Sequence, residues 1–136
     1  MYLLDTIVLS ELRKKERCDP HVRQWFLQIP EHEVFVSVLA IGEIRQEIER
    51  LRRRNPHGVH QLEGWLHELL RSLGDRLLPV DKAIAQRWGR INAHHQFFVV
   101  DALMAATAAV HDLTFVTRNA KDVERSGVSC FNPFED

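Results

Sequence analysis

Cysteine is scarce in this sequence: Cys18 and Cys130 are the only two, they lie far apart, and neither belongs to a CxxC pair. A disulfide framework or a zinc cage needs more than that, so both are expected to be reduced thiols. No apolar run approaches the ~20 residues that span a bilayer, and the opening Met1-Tyr2-Leu3-Leu4-Asp5 has neither a basic n-region nor a long apolar stretch. The expectation is a cytoplasmic protein without membrane contact. Neither sign of charge is in marked excess. With 18 Lys+Arg against 19 Asp+Glu the net charge is -1, so no global field draws nucleic acid, and any such contact has to come from a local patch. Gly/Ser linkers, internal repeats and low-complexity stretches are absent, which leaves a single domain over residues 1–136.

What is present is ordinary globular material, 45% hydrophobic and 27% charged, enough for one packed core. Apolar runs alternate with helical patterns. Tyr2-Leu3-Leu4 reads as a buried strand stopped by Asp5-Thr6, and a helix runs from Thr6 to Lys15. Val34 to Val38 is β-rich, and Ala40 to Arg54 repeats Ile41, Ile44, Ile48 and Leu51 at helical spacing until Asn55-Pro56-His57-Gly58 stops it. Leu62, Trp65, Leu66, Leu69, Leu70 and Leu73 form one stripe on the next helix, which suits a core face. Leu77 to Val80 predicts a third strand, Asp81 to Ala93 a helix, and His94 to Phe98 a loop. The alanine-rich Ala102 to Val110 predicts a helix lying close on a sheet, Leu113 to Val116 a fourth strand, Ala120 to Glu124 a short helix, and Val128 to Phe131 a last strand. This alternation predicts an α/β fold, a parallel sheet with helices on both faces.

Four carboxylates fall at the joints of that pattern: Asp5, Glu43, Asp101 and Asp122. Ligands of open parallel sheets bind at the carboxyl ends of the strands, so these acids have a route to one another. Together they would repel unless a cation intervened, and an all-oxygen set suits Mg2+ or Mn2+ better than Zn2+. Each also has an ordinary reading: Asp5 ends a strand, Asp101 caps a helix, Asp122 is a first-turn acid of a helix capped by Asn119, and Glu43 is an exposed helical glutamate. The run Arg45, Arg50, Arg52, Arg53 and Arg54, interrupted by Glu47 and Glu49, reads either as a solvated helix face or as a local RNA contact. None of the eight histidines sits in an HExxH or similar metal spacing.

The residues around the acids carry more information than their spacing. Leu3 to Leu12 (LLDTIVLSEL), Val36 to Ile44 (VSVLAIGEI), Val100 to Ala108 (VDALMAATA) and Leu113 to Asp122 (LTFVTRNAKD) resemble, in order, the four acidic motifs of VapC-type PIN-domain toxins. The closing Phe131-Asn132-Pro133-Phe134 resembles their last strand. The resemblance implies a single PIN-like domain with strand order 3-2-1-4-5 and a Mg2+- or Mn2+-dependent endoribonuclease, the toxin of a bacterial toxin-antitoxin pair. It maps Asp5, Glu43, Asp101 and Asp122 onto the acidic positions, with Asp5 and Asp101 as direct metal ligands and Glu43 and Asp122 reaching metal through water or a second ion. Thr6, Thr117 and Asn119 fall on accessory positions. A VapB-like antitoxin whose basic side chain faces the acids, an RNA substrate and a homodimer are further implications. A cation there would lower the pKa of a bound water and neutralise charge on the leaving 3′ oxygen.

One position departs from the pattern. These toxins usually carry Asn after the Asp-Thr pair, and here Ile7 stands, with bulk but no hydrogen-bond donor. That favours an attenuated enzyme or, as an alternative, a weakened module acting through antitoxin binding and operon regulation. A phosphotransfer domain is disfavoured, because Asp5-Thr6-Ile7 lacks the second acid of a DxD pair.

Overall fold

The computed structural model describes residues 1–94 and 98–135. Five strands, β1 (Tyr2–Leu4), β2 (Val34–Ser37), β3 (Leu77–Leu78), β4 (Thr114–Val116) and β5 (Cys130–Phe131), form one sheet in the order β3-β2-β1-β4-β5. Every pairing is parallel, with Tyr2 opposite Val34 and Thr114, Ser37 opposite Leu78, and Val116 opposite Phe131. The central strand is apolar throughout because helices cover both its faces: Leu3 and Leu4 are both fully buried. Strand order and fold class agree with expectation.

Helices α1 (Thr6–Leu12), α2 (Pro20–Leu27), α3 (Val38–Arg54), α4 (Val59–Leu73), α5 (Lys82–His94), α6 (Val99–Val110) and α7 (Ala120–Glu124) surround the sheet. The α3 stripe is core, with Ile44 and Ile48 fully buried, and so is the inner edge of α4 at Leu62, Leu66 and Leu73. Gly74 ends α4 with φ +52, a left-handed turn that costs glycine little, and its N–H caps the carbonyl of Leu70. Ala102, Ala105, Ala106 and Ala108 are buried on α6, where small side chains let the helix lie close to the sheet.

Boundaries moved in understandable ways. Helix α1 stops at Leu12 rather than Lys15, since Lys15 sits at φ 54 and begins a tighter turn. Helix α3 starts at Val38, capped by the Ser37 hydroxyl, which accepts from the N–H of Leu39 at 3.1 Å. Helix α2 was not anticipated. Its start signals are nevertheless in the chain: Asp19 accepts from the N–H groups of His21 and Val22, and Pro20 occupies the first turn. Asp101 lies inside the first turn of α6 and does not cap it; Phe98 holds the cap position. Of the anticipated loop His94 to Phe98, His94 ends α5, Phe98 precedes α6, and residues 95–97 fall outside the described residues. No helix is long and apolar enough to cross a membrane among the described residues.

Candidate active site

Asp5 is placed by the sheet. Its N–H donates to the carbonyl of Val116 at 2.9 Å, extending the β1–β4 ladder by one residue, and its side chain then caps α1. One carboxylate oxygen accepts from the N–H of Thr6 at 2.7 Å, and the other from the Thr117 hydroxyl at 2.7 Å. Thr117 follows β4, is buried, and is fixed in turn: its N–H donates to the carbonyl of Phe131, and its Oγ1 accepts from the N–H of Asn119 at 3.2 Å. Asp5 is only 4% exposed.

Two further acids surround it. Glu43, on the second turn of α3, accepts from the Thr6 hydroxyl at 2.5 Å. Asp101 stands half-buried on α6. The electrostatics tie the three together. Burial pushes the Asp5 carboxyl up to about 6; the Thr117 hydroxyl and the Thr6 N–H oppose this, while the charges of Asp101 and Glu43 add to it. Asp101 is likewise raised, by burial first and then by Glu43. Three carboxylates, one just after β1 and the others on α3 and α6, therefore feel one another although 96 positions separate Asp5 from Asp101 in a 136-residue chain.

A PIN domain model matches residues 2–125. The chain belongs to the PIN-domain family. Along its whole length this PIN domain is similar to Toxin FitB of Neisseria gonorrhoeae, 28% identical over 146 aligned residues that cover all of both proteins. It superposes on the crystal structure of FitAcB from Neisseria gonorrhoeae with TM-score 0.84 at 27% identity, covering all of both chains. DNA-bound VapBC from Salmonella typhimurium shares the fold, with TM-score 0.77 at 20% identity over 97% of each chain.

Within the PIN domain the expected residues separate into two groups. Asp5, Thr6, Glu43, Asp101 and Thr117 converge at the carboxyl ends of β1 and β4. Asp122 lies apart: on the first turn of α7 its side chain is 72% exposed, it faces Arg125 at 4.0 Å, and it is not among the charges acting on Asp5 or Asp101. Asn119 stands at the start of α7 without a side-chain capping bond, and enters the site through its backbone N–H on Thr117. The Thr6–Glu43 pair was invisible in the sequence as a pair, since 37 positions separate the partners.

The donor set is all carboxylate and hydroxyl oxygen, which suits a hard dication, and the mutual repulsion of Asp5, Asp101 and Glu43 is what such an ion relieves. Among the described residues, no three His, Cys, Asp or Glu groups already form a metal cage. Glu43 is turned instead to the Thr6 hydroxyl.

Proposed function

We propose that this PIN domain is a metal-dependent endoribonuclease and the toxin of a bacterial toxin-antitoxin pair. The observation that carries the reading is Asp5: a buried carboxyl pressed by two neighbouring acids and kept ionisable by two dedicated donors. Purely structural carboxylates at strand ends have no need of two further acids close enough to raise them.

Asp5 and Asp101 would hold Mg2+, or Mn2+, with Glu43 completing the set; when bound, the ion supplies an activated water and stabilises charge on the leaving oxygen. The chain's own residues prepare that site. Thr117 and the Thr6 N–H hold the Asp5 carboxylate in one orientation and favour its charged form. The Thr6 hydroxyl fixes one oxygen of the Glu43 carboxylate. Asp122, out on α7, would act on a second ion or through water.

The partners follow by similarity: FitB is named a toxin, and structures that share the fold include a toxin-antitoxin complex from Klebsiella pneumoniae and VapBC-5 of a toxin-antitoxin family from Mycobacterium tuberculosis. We assign this chain a VapB-like antitoxin, whose basic side chain suits the acidic pocket, and a cytoplasmic homodimeric state. Ile7, 43% exposed beside Asp5 and unable to hydrogen-bond, favours a second reading in which catalysis is weak and antitoxin binding dominates.

The deciding experiment incubates purified protein with total RNA and Mg2+ or Mn2+, with and without EDTA, and maps the cut ends. Cleavage abolished by EDTA and by Asp5→Asn or Asp101→Asn is the expected result. Cleavage that persists in Asp101→Asn, or no cleavage at all, rejects the nuclease in favour of the binding module.

A further inference from the structure

Helix α3 carries Glu43 into the site near its start and ends in arginines, and its two polar faces differ. At 3.6 residues per turn, Arg45, Glu49 and Arg52 share one face, while Glu43, Glu47, Arg50 and Arg54 lie on the other with Gln46 and Arg53 beside them. The first face is internally neutralised. Arg45 makes a two-pronged pair with Glu63 of α4 at 2.7 and 3.1 Å, and Arg52 reaches Glu63 at 2.7 Å and Glu49 at 3.3 Å.

The second face is not. No ion pair or hydrogen bond among the described residues engages Arg50, Arg53 or Arg54. These three arginines, with Gln46, Glu47 and the site acid Glu43, line one open cleft of about 560 Å³. Eleven helical steps lead from Glu43 to Arg54, a run of ~16 Å. The cleft is thus negative where it meets the acids and positive where it leaves them.

We propose that Arg50, Arg53 and Arg54 form a phosphate-binding track that seats the backbone of single-stranded RNA on α3 and leads it to Glu43 and the acidic site. The ligand is taken from the nuclease reading above. Charge complementarity carries the assignment: a polyanion crossing a carboxylate site needs compensating cations close by, the chain's net charge of -1 supplies none globally, and the three arginines of this cleft line the end away from Glu43. Arg53 and Arg54 lie in the last turn, where the helix dipole alone favours a cation, but Arg50 lies above it.

The test measures binding apart from cleavage. A fluorescent 12-nucleotide single-stranded RNA is titrated with the full chain in EDTA between 50 and 200 mM KCl, read by anisotropy. Removing three phosphate contacts flattens the log–log salt slope by about 2, so that affinity of the unaltered chain falls about 16-fold more than that of the Arg50→Gln/Arg53→Gln/Arg54→Gln variant over this range. The corresponding lysine triple keeps the slope, because a point charge suffices for a backbone phosphate. Glu47→Gln, which removes an acid from the same cleft, tightens binding. An unchanged slope in the glutamine triple, an equal loss in Arg45→Gln/Arg52→Gln, or a change of oligomeric state in the glutamine triple by sedimentation overturns the track. The nuclease reading fails separately: RNA bound with the expected slope but never cut in Mg2+ or Mn2+ rejects the enzyme and keeps the track, whereas RNA cut equally by both forms rejects the track and keeps the enzyme.

Discussion

The Thr117 hydroxyl donates to Oδ2 of Asp5 across 2.7 Å, joining residues 112 positions apart. The bond crosses from β4 to β1 at the carboxyl edge of the sheet, and it is the largest influence opposing the burial that drives the Asp5 carboxyl up to about 6. A hydrogen bond to a charged group contributes about 1.5–3 kcal/mol, which corresponds to about 1–2 pKa units. Thr117→Val therefore raises Asp5 further, toward neutrality and above. In a pH–rate profile of RNA cleavage the acid limb moves to higher pH by about one to two units, activity at pH 7 falls about two- to tenfold, and much of it returns at pH 9. Thr117→Ser, which keeps the hydroxyl, leaves the limb in place.

Asp5 also makes the fold less stable at neutral pH. Its folded carboxyl titrates near 6 against an ordinary 3.8, so between these values the folded state binds the extra proton and stability falls as pH rises. Above pH 6 the full penalty of about 2–3 kcal/mol is present, and below pH 4 it is gone. Asp5→Asn removes the charge while keeping the shape, so urea unfolding at pH 7.5 finds the variant more stable by a large part of that amount, and at pH 4 nearly equal. Equal stability at both pH values contradicts the buried, crowded carboxylate.

The site was partly legible because its acids sit at joints that hydrophobic periodicity marks well. Asp5 follows a three-residue apolar run, and Glu43 and Asp101 each lie in an early turn of a helix beside the sheet edge. What periodicity does not carry is direction. Asp122 has the same local credentials, an acid in the first turn of a helix after a strand, yet α7 turns it outward to 72% exposure. The strand order came from resemblance to known toxins, since the short apolar runs Leu77–Leu78 and Cys130–Phe131 carry no pairing information of their own. Helix α2 escaped for another reason: Val22 is its only buried residue, so no apolar stripe announced it, and Trp25 anchors it edge-on to Tyr2 at 5.3 Å.

Divalent cations should restore the stability that Asp5 removes. If Asp5, Asp101 and Glu43 take up Mg2+, the ion binds the folded state alone and raises the melting temperature in proportion to the logarithm of its concentration. At pH 8, 10 mM Mg2+ is expected to stabilise the unaltered chain, and Asp5→Asn and Asp101→Asn far less. At pH 5 the effect weakens, because a proton competes with the ion for the Asp5 carboxyl. Thermal unfolding by circular dichroism reads this without any substrate, and equal Mg2+ responses in all three proteins would place the ion elsewhere.

Ile7 follows the residues that fix the site, Asp5 as cap and Thr6 as partner of Glu43, and its side chain is 43% exposed. Exposure means that Ile7→Asn buries no new polar group and changes stability within about 0.5 kcal/mol. Its effect should fall on activity. An amide one residue beyond Thr6 can orient a site carboxylate or a water, and gain of such a supporting hydrogen bond is worth about 10–100-fold in activity or metal affinity. Single-turnover cleavage of RNA at saturating Mg2+ or Mn2+ is expected to rise in Ile7→Asn by about that factor, with the melting temperature unchanged. A rise confined to low metal concentration would mean that the amide strengthens ion binding alone, whereas a rise that persists at saturation places it on the reacting water. If cleavage stays flat at every metal concentration, position 7 does not limit this chain, and attenuation by Ile7 is rejected.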